Sequence, residues 1–152
     1  MDQFMEHTIK LAANNVKEGG QPFGAALIKD GEVIAEGVNQ LHVRHDVSGH
    51  AEMVAIRQAQ KQLQTDDLSD MTMYASGEPC PMCYAAMSYA GIQTTYYAQS
   101  AEDAVDAGLG KSKQVALDLQ KAPSERSYPM HHMPLTDDSH NPMQMYKKRH
   151  NQ

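Results

Sequence analysis

The sequence predicts an α/β fold, a layered domain in which helices cover a central sheet. Three observations carry this. Some segments repeat their apolar residues at helical spacing, others are short extended runs bounded by Gly, Asp or Pro, and the two kinds alternate along the chain. At 152 residues the chain suits one domain spanning 1–152, with the Pro-punctuated segment 123–152 read as a C-terminal arm.

The elements follow in order. From Gln3 to Val16 the residues Phe4, Met5, Thr8, Ile9, Leu11, Ala12 and Val16 lie at helical spacing, and Gly19-Gly20 stops the run. Phe23 to Ile28 and Val33 to Val38 are extended runs separated by Asp30-Gly31, a dipeptide that favours a tight hairpin turn. Asn39 to Gly49 reads as a polar loop that delivers His50 to a helix start. Ala51 to Leu63 is amphipathic, with Met53, Val54, Ile56 and Leu63 on one broad face. Met71 to Ala75 reads as a strand, Pro81 to Ala90 as a helix ended by Gly91, and Gln93 to Ala98 as another strand. Beyond Ser100 the pattern weakens to short helices at Ala101 to Ala107 and Lys113 to Leu119, a Gly-rich turn between them, and a terminal helix after Pro142. Neither an internal repeat nor a low-complexity segment is present.

Charge and cysteine content exclude several function classes. The formal net charge of −6 opposes a broad nucleic-acid surface, which needs clustered Lys and Arg. The closing run Lys147-Lys148-Arg149-His150 is explained by a helix C-terminus. No apolar run is long enough to span a bilayer, and the two cysteines, three apart between prolines, do not make a disulfide framework. A soluble, cytoplasmic protein is expected, with both thiols free to hold a metal. The eleven methionines are explained as core filler.

The residues that carry chemistry are His50-Ala51-Glu52 and Pro79-Cys80-Pro81-Met82-Cys83. Pro81 suits the first position of a helix, so Cys80 would cap it and Cys83 would follow one turn on, both sulfurs converging on one ion near the positive end of the helix. His50 would arrive from the start of another helix. One imidazole and two thiolates make a three-ligand zinc site with its fourth position open, which is catalytic in kind. Glu52, two residues from His50, stands too near it to share a tetrahedral site and is placed to move protons instead. A closed structural site would need a fourth His or Cys; no further Cys exists, and His42, His45, His131 and His132 are the other histidines considered. Either motif alone has ordinary explanations, redox or structural for Cys-x-x-Cys and chance for His-x-Glu.

In this order the motifs form the signature of zinc-dependent base deaminases, and the chain resembles the cytidine deaminase-like superfamily. Within it the chain is similar to small zinc-dependent bacterial guanine deaminases, through Gly20-Gln21-Pro22-Phe23-Gly24-Ala25, Lys29-Asp30-Gly31, Ile34-Ala35-Glu36-Gly37, His50-Ala51-Glu52, Ala55-Ile56-Arg57, Glu78-Pro79-Cys80-Pro81-Met82-Cys83 and Asp106-Ala107-Gly108. Pro22-Phe23 separates it from transfer-RNA adenosine deaminases, which resemble this segment only in the final Gly-Ala.

The resemblance implies a three-layer fold with a central mixed sheet flanked by helices, one Zn²⁺ per chain, and hydrolytic deamination of a nucleobase with release of ammonia. Glu52 would take the proton of the attacking water and return protons to the ring nitrogen and the leaving amine. Asn39 would donate its amide to the base, Phe23 would pack on the ring, and the backbone N–H of Ala51 would help hold it. A homodimer, with C-terminal segments exchanged between subunits, is also implied.

Two departures bear on the substrate. Where the guanine enzymes carry an aromatic residue and an acidic pair, Leu109, Gly110 and Lys111 stand, so an acid is replaced by a cation. The chain ends at Asn151-Gln152 with Tyr146 its last aromatic, whereas a terminal aromatic would close the pocket. Lys111 therefore favours a base presenting an acceptor or negative charge at that edge, unless Asp106 or Asp118 reaches in and guanine survives as substrate. The competing functions are transfer-RNA adenosine deamination and a non-catalytic, zinc-stabilised binding module.

Overall fold

The computed structural model describes residues 1–151, and the final Gln152 lies outside the described residues. The first helix, α1 (Gln3–Lys17), is capped by the Asp2 carboxylate, which accepts the N–H groups of Phe4 at 2.7 Å and Met5 at 3.2 Å. It buries Met5, Thr8, Ala12 and Asn15, a stripe at 3,4,3 spacing. Two strands follow, β1 (Gly24–Lys29) and β2 (Glu32–Val38), paired antiparallel. Asp30 and Gly31 between them both have positive φ, 51° and 76°, which makes the connection the primed turn that matches strand twist.

The next elements are the single-turn α2 (Leu41–Arg44), α3 (Ala51–Leu63), β3 (Thr72–Gly77), α4 (Pro81–Ala90) and β4 (Thr94–Gln99). They are followed by α5 (Ala101–Asp106), α6 (Lys111–Leu119), a 3₁₀ turn at Pro123–Glu125 and α7 (Pro142–His150). The four strands order as β2-β1-β3-β4. β1 runs antiparallel to both its neighbours while β3 and β4 run parallel, so the sheet is mixed as expected.

Strand alternation builds the three layers. Ala25 and Leu27 of β1 point into a core with Ala55, Ile56 and Ala59 of α3 and Met87 and Ala90 of α4. Ala26 and Ile28 point the other way and pack with Met5 of α1 and Tyr74 of β3. Because β1 is covered on both faces it reads as a continuous apolar run. Glycine lets both helical layers come close. A Cβ on Gly24 would stand 2.8 Å from the Thr8 carbonyl of α1, and one on Gly37 would stand 2.5 Å from the Ala51 carbonyl of α3.

The chain divides into two compact units, Met1–Leu117 and the residues from Asp118 onward. The first contains the whole sheet and α1 to α5. In the second, the Asp118 carboxylate accepts the Ser127 N–H at 2.9 Å and its hydroxyl at 3.0 Å, and Asn141 caps α7 through the Gln144 N–H at 3.1 Å. None of the described residues of this unit is buried.

The sequence reading departs from the structure at several element ends and in one loop. The first strand begins at Gly24 rather than Phe23, because the Phe23 N–H turns back onto the Gln21 carbonyl at 2.9 Å. The third covers Thr72–Gly77 rather than 71–75, and α6 starts at Lys111, two residues early. The loop from Asn39 to Gly49 contains α2, whose four residues are too few to show periodicity.

Candidate active site

Two helix starts build the site. His50 occupies the position before α3 with extended backbone (φ −74°, ψ 153°) and makes no capping bond with its side chain, which leaves the ring free to point elsewhere. Cys80 occupies the same position before α4, with Pro81 inside the first turn and the Cys83 N–H reaching its sulfur at 3.5 Å. The three side chains meet. His50 Nδ1 lies 3.4 Å from Cys80 Sγ and 3.6 Å from Cys83 Sγ, and the sulfurs are 3.5 Å apart.

These separations suit a tetrahedral ion. Zinc bonds of about 2.3 Å to sulfur and about 2.0 Å to imidazole nitrogen place ligand atoms roughly 3.5–3.8 Å from one another. Among the described residues no other group of three His, Cys, Asp or Glu is gathered this closely. The hydrogen bond from Cys83 holds the Cys80 thiol far below its ordinary range, and the same bond together with burial pushes Cys83 up. Such a cluster discharges protons when it takes up a dication.

Glu52 is buried at 6 % exposure and lines the same cavity as His50 and Cys80. Burial pushes its carboxyl up to about 7, outweighing hydrogen bonds from its own backbone N–H and from Cys83 that favour the charged form. A dication in the cluster would favour the carboxylate and draw this value down. The cavity itself measures about 470 Å³. Its lining includes the lead-in to β1, with Phe23 and Gln21, and residues from the end of β4, from α5 and from the segment leading into α6, with Leu109 and Lys111.

Residues 1–99 match the family described as the cytidine and deoxycytidylate deaminase zinc-binding region. The chain belongs to this deaminase family. It is 39 % identical over 137 residues to guanine deaminase of Bacillus subtilis, covering 90 % of this chain and 87 % of the relative. The crystal structure of guanine deaminase from that organism superposes with a TM-score of 0.89 at 36 % identity, over 97 % of this chain and 95 % of the other. A tRNA-specific adenosine deaminase of Agrobacterium fabrum is 39 % identical over only 95 residues, 60 % of this chain and 62 % of the relative. The chain is thus a guanine deaminase homologue and a zinc-dependent hydrolytic deaminase with the cytidine deaminase-like fold.

The substrate-contact residues anticipated for this deaminase divide in two. Phe23 and Lys111 line the cavity. Asn39 and Ala51 are not among its lining residues and are buried, at 1 % and 0 % exposure. The Asn39 side chain is engaged internally, donating to Gln21 Oε1 at 3.2 Å and accepting the Leu41 N–H at 3.0 Å. Of the other carboxylates that line the cavity, Asp103 is occupied in the cap of α5 with Ser100, and Glu78 accepts the Ala101 N–H at 3.2 Å. Asp106 and Asp118, the two acids that could have taken the place of the missing pair, are not among the lining residues.

Sequence reasoning passed over Gln21 as a cavity residue and Asn15 as a buried polar one. Asn15 had a signal, an amide standing where the 5, 8, 12 stripe of α1 calls for an apolar residue.

Proposed function

We propose that this chain hydrolyses the exocyclic amine of a nucleobase of the guanine class, with His50, Cys80 and Cys83 as zinc ligands and Glu52 as the proton carrier. One observation carries the reading: the buried carboxyl of Glu52 lines the same cavity as His50 and Cys80, two members of the three-ligand cluster. When bound, zinc lowers the pKa of water toward neutrality and so supplies the nucleophile. Glu52 accepts one proton of the water and passes it to the ring nitrogen as the water oxygen bonds to the ring carbon; it then takes the proton left on that oxygen and delivers it to the amine, and the C–N bond breaks to leave a carbonyl and neutral ammonia. The relatives favour guanine, since the match to guanine deaminase runs through nearly the whole chain while that to the tRNA enzyme does not.

Phe23 packs against the base. Asn39 donates to it by exchanging its bond to Gln21, and the Ala51 N–H closes the contact from the start of α3. Lys111, with no carboxylate partner of its own among the described residues, meets the edge opposite the metal ligands and favours an acceptor there. Guanine offers two N–H donors to its partner acid in the related enzymes, and each left unpaired in a closed pocket costs on the order of 1–3 kcal/mol. The preference is therefore displaced toward bases with an oxo group or negative charge at that edge.

The assembly we propose is a homodimer in which the arm from Pro123 onward of each subunit packs on the other, one domain per chain with an exchanged arm. Supporting it are Met130, Met133, Leu135 and Met143, 60–92 % exposed, and the unpaired edge of β4 with Tyr96 and Tyr97 exposed. No helix among the described residues is long and apolar enough to cross a membrane. Thiols kept as ligands suit a cytoplasmic setting. Ammonia release by the zinc-loaded protein across guanine, cytosine, isocytosine, adenine, ammeline and their nucleosides tests the reading. Turnover of a free base supports it; inosine formation on transfer RNA alone, or no turnover at all, overturns it.

A further inference from the structure

Asn15 sits in the last turns of α1, 2 % exposed, and touches no part of the metal cluster. Its Nδ2 donates to two backbone carbonyls, those of Gln21 at 2.8 Å and Asn39 at 3.0 Å. These belong to different segments, the lead-in to β1 and the exit from β2. The Gln21 carbonyl also receives the Phe23 N–H at 2.9 Å, and the Phe23 carbonyl receives the Asn39 N–H at 3.1 Å. One amide group thus closes a ring of hydrogen bonds through Gln21, Phe23 and Asn39.

The neighbouring chain is shaped around it. The Gly20 N–H donates to the Asn15 carbonyl at 2.8 Å. A Cβ on Gly20 would stand 2.5 Å from Asn15 Nδ2 and 2.6 Å from His42 Cε1, so only glycine passes between the helix and α2. Both amide protons point at acceptors, which excludes a carboxylate at this position although its shape is the same. A buried polar side chain committed in this way fixes the geometry of what it holds.

We infer that Asn15 is a positioning residue for the base-binding wall, setting the place of Gln21, Phe23 and Asn39 without contacting the substrate. The kinetic part of this inference rests on the deaminase function proposed above; the structural part does not. N15D keeps the shape and turns a donor into an acceptor facing two carbonyls. With the zinc-loaded protein, KM for the base that the wild type deaminates rises tenfold or more, while kcat falls by a smaller factor and zinc content per chain is unchanged. T8A serves as the comparison, because Thr8 is buried on the same stripe but bonds only within α1, to the Phe4 carbonyl at 2.8 Å; it lowers the melting temperature and leaves KM alone.

Amide hydrogen exchange supplies a readout independent of turnover. In N15D the Phe23 and Asn39 amides exchange at least tenfold faster, while those of α3 keep their rates. If N15D does not fold, N15S, which retains one donor, is measured by the same two readouts with the same expectation. A folded variant with wild-type KM and unchanged exchange at Phe23 and Asn39 overturns the inference. Should the wild type deaminate no base, the proposed function fails separately, and the exchange rates alone decide the role of Asn15.

Discussion

Gly37 of β2 and Ala51 of α3 meet backbone to backbone, so closely that a Cβ on Gly37 would stand 2.5 Å from the Ala51 carbonyl oxygen and 2.9 Å from the Ala55 nitrogen. Ala51 lies between the histidine of the cluster and the buried carboxyl. The strand therefore sets the height at which the start of α3 presents both. G37A forces backbone against backbone and costs on the order of 1–3 kcal/mol. Urea unfolding measures this, and zinc affinity falls with it; a change within 0.5 kcal/mol would show that the contact carries no weight.

The metal is held by groups that must be deprotonated to bind it. Chelation abolishes turnover, and stoichiometric zinc restores it. With free zinc at about a thousand times Kd, removal also costs about 4 kcal/mol of stability, visible as a lower Tm. Acid opposes loading, since His50 and both thiols bind only when deprotonated and the hydrogen bond to Cys80 raises the pKa of His50, so zinc occupancy by elemental analysis falls as the pH is lowered. Full activity in the chelated protein would contradict the assignment of the cluster.

Much of the fold was legible because its boundaries carry strong punctuation. The limits of α3 and α4 agree with the sequence reading: Pro81 stands inside the first turn of α4, and Gly91, with φ 83°, ends it. The hairpin was legible through Asp30-Gly31 for the same reason. What stayed hidden depends on tertiary context. The single turn of α2 starts where the Asn39 side chain accepts the Leu41 N–H, a bond formed only once β2 has ended where it does. Among the site residues, the cluster was readable from spacing. That Gln21 lines the cavity while Asn39 does not was hidden, because sequence does not reveal which of two neighbouring amides faces inward.

Lys111 replaces an expected acid on the cavity wall. K111E restores an acceptor and raises the kcat/KM for guanine, relative to bases bearing an acceptor at that edge, by roughly tenfold or more, the scale of one buried hydrogen bond gained or lost. A competition assay with paired substrates measures the ratio. An unchanged ranking in both K111E and K111A removes Lys111 from specificity.

Exposed apolar side chains on β4 and on the segment from Asp118 onward call for a partner surface. Light scattering in solution gives a mass of two chains, and truncation before Pro123 gives one. A monomeric mass for the full chain rules out the exchanged arm.

The most direct test is turnover of the wild type and E52Q on the base that the wild type prefers, both loaded with one zinc per chain. The amide keeps the volume of the side chain and the cluster beside it but cannot carry a proton, so E52Q retains zinc and loses about a hundredfold to ten-thousandfold in kcat. Equal turnover by the two proteins at equal zinc content would contradict the account, for the buried carboxyl would then have no part in the chemistry.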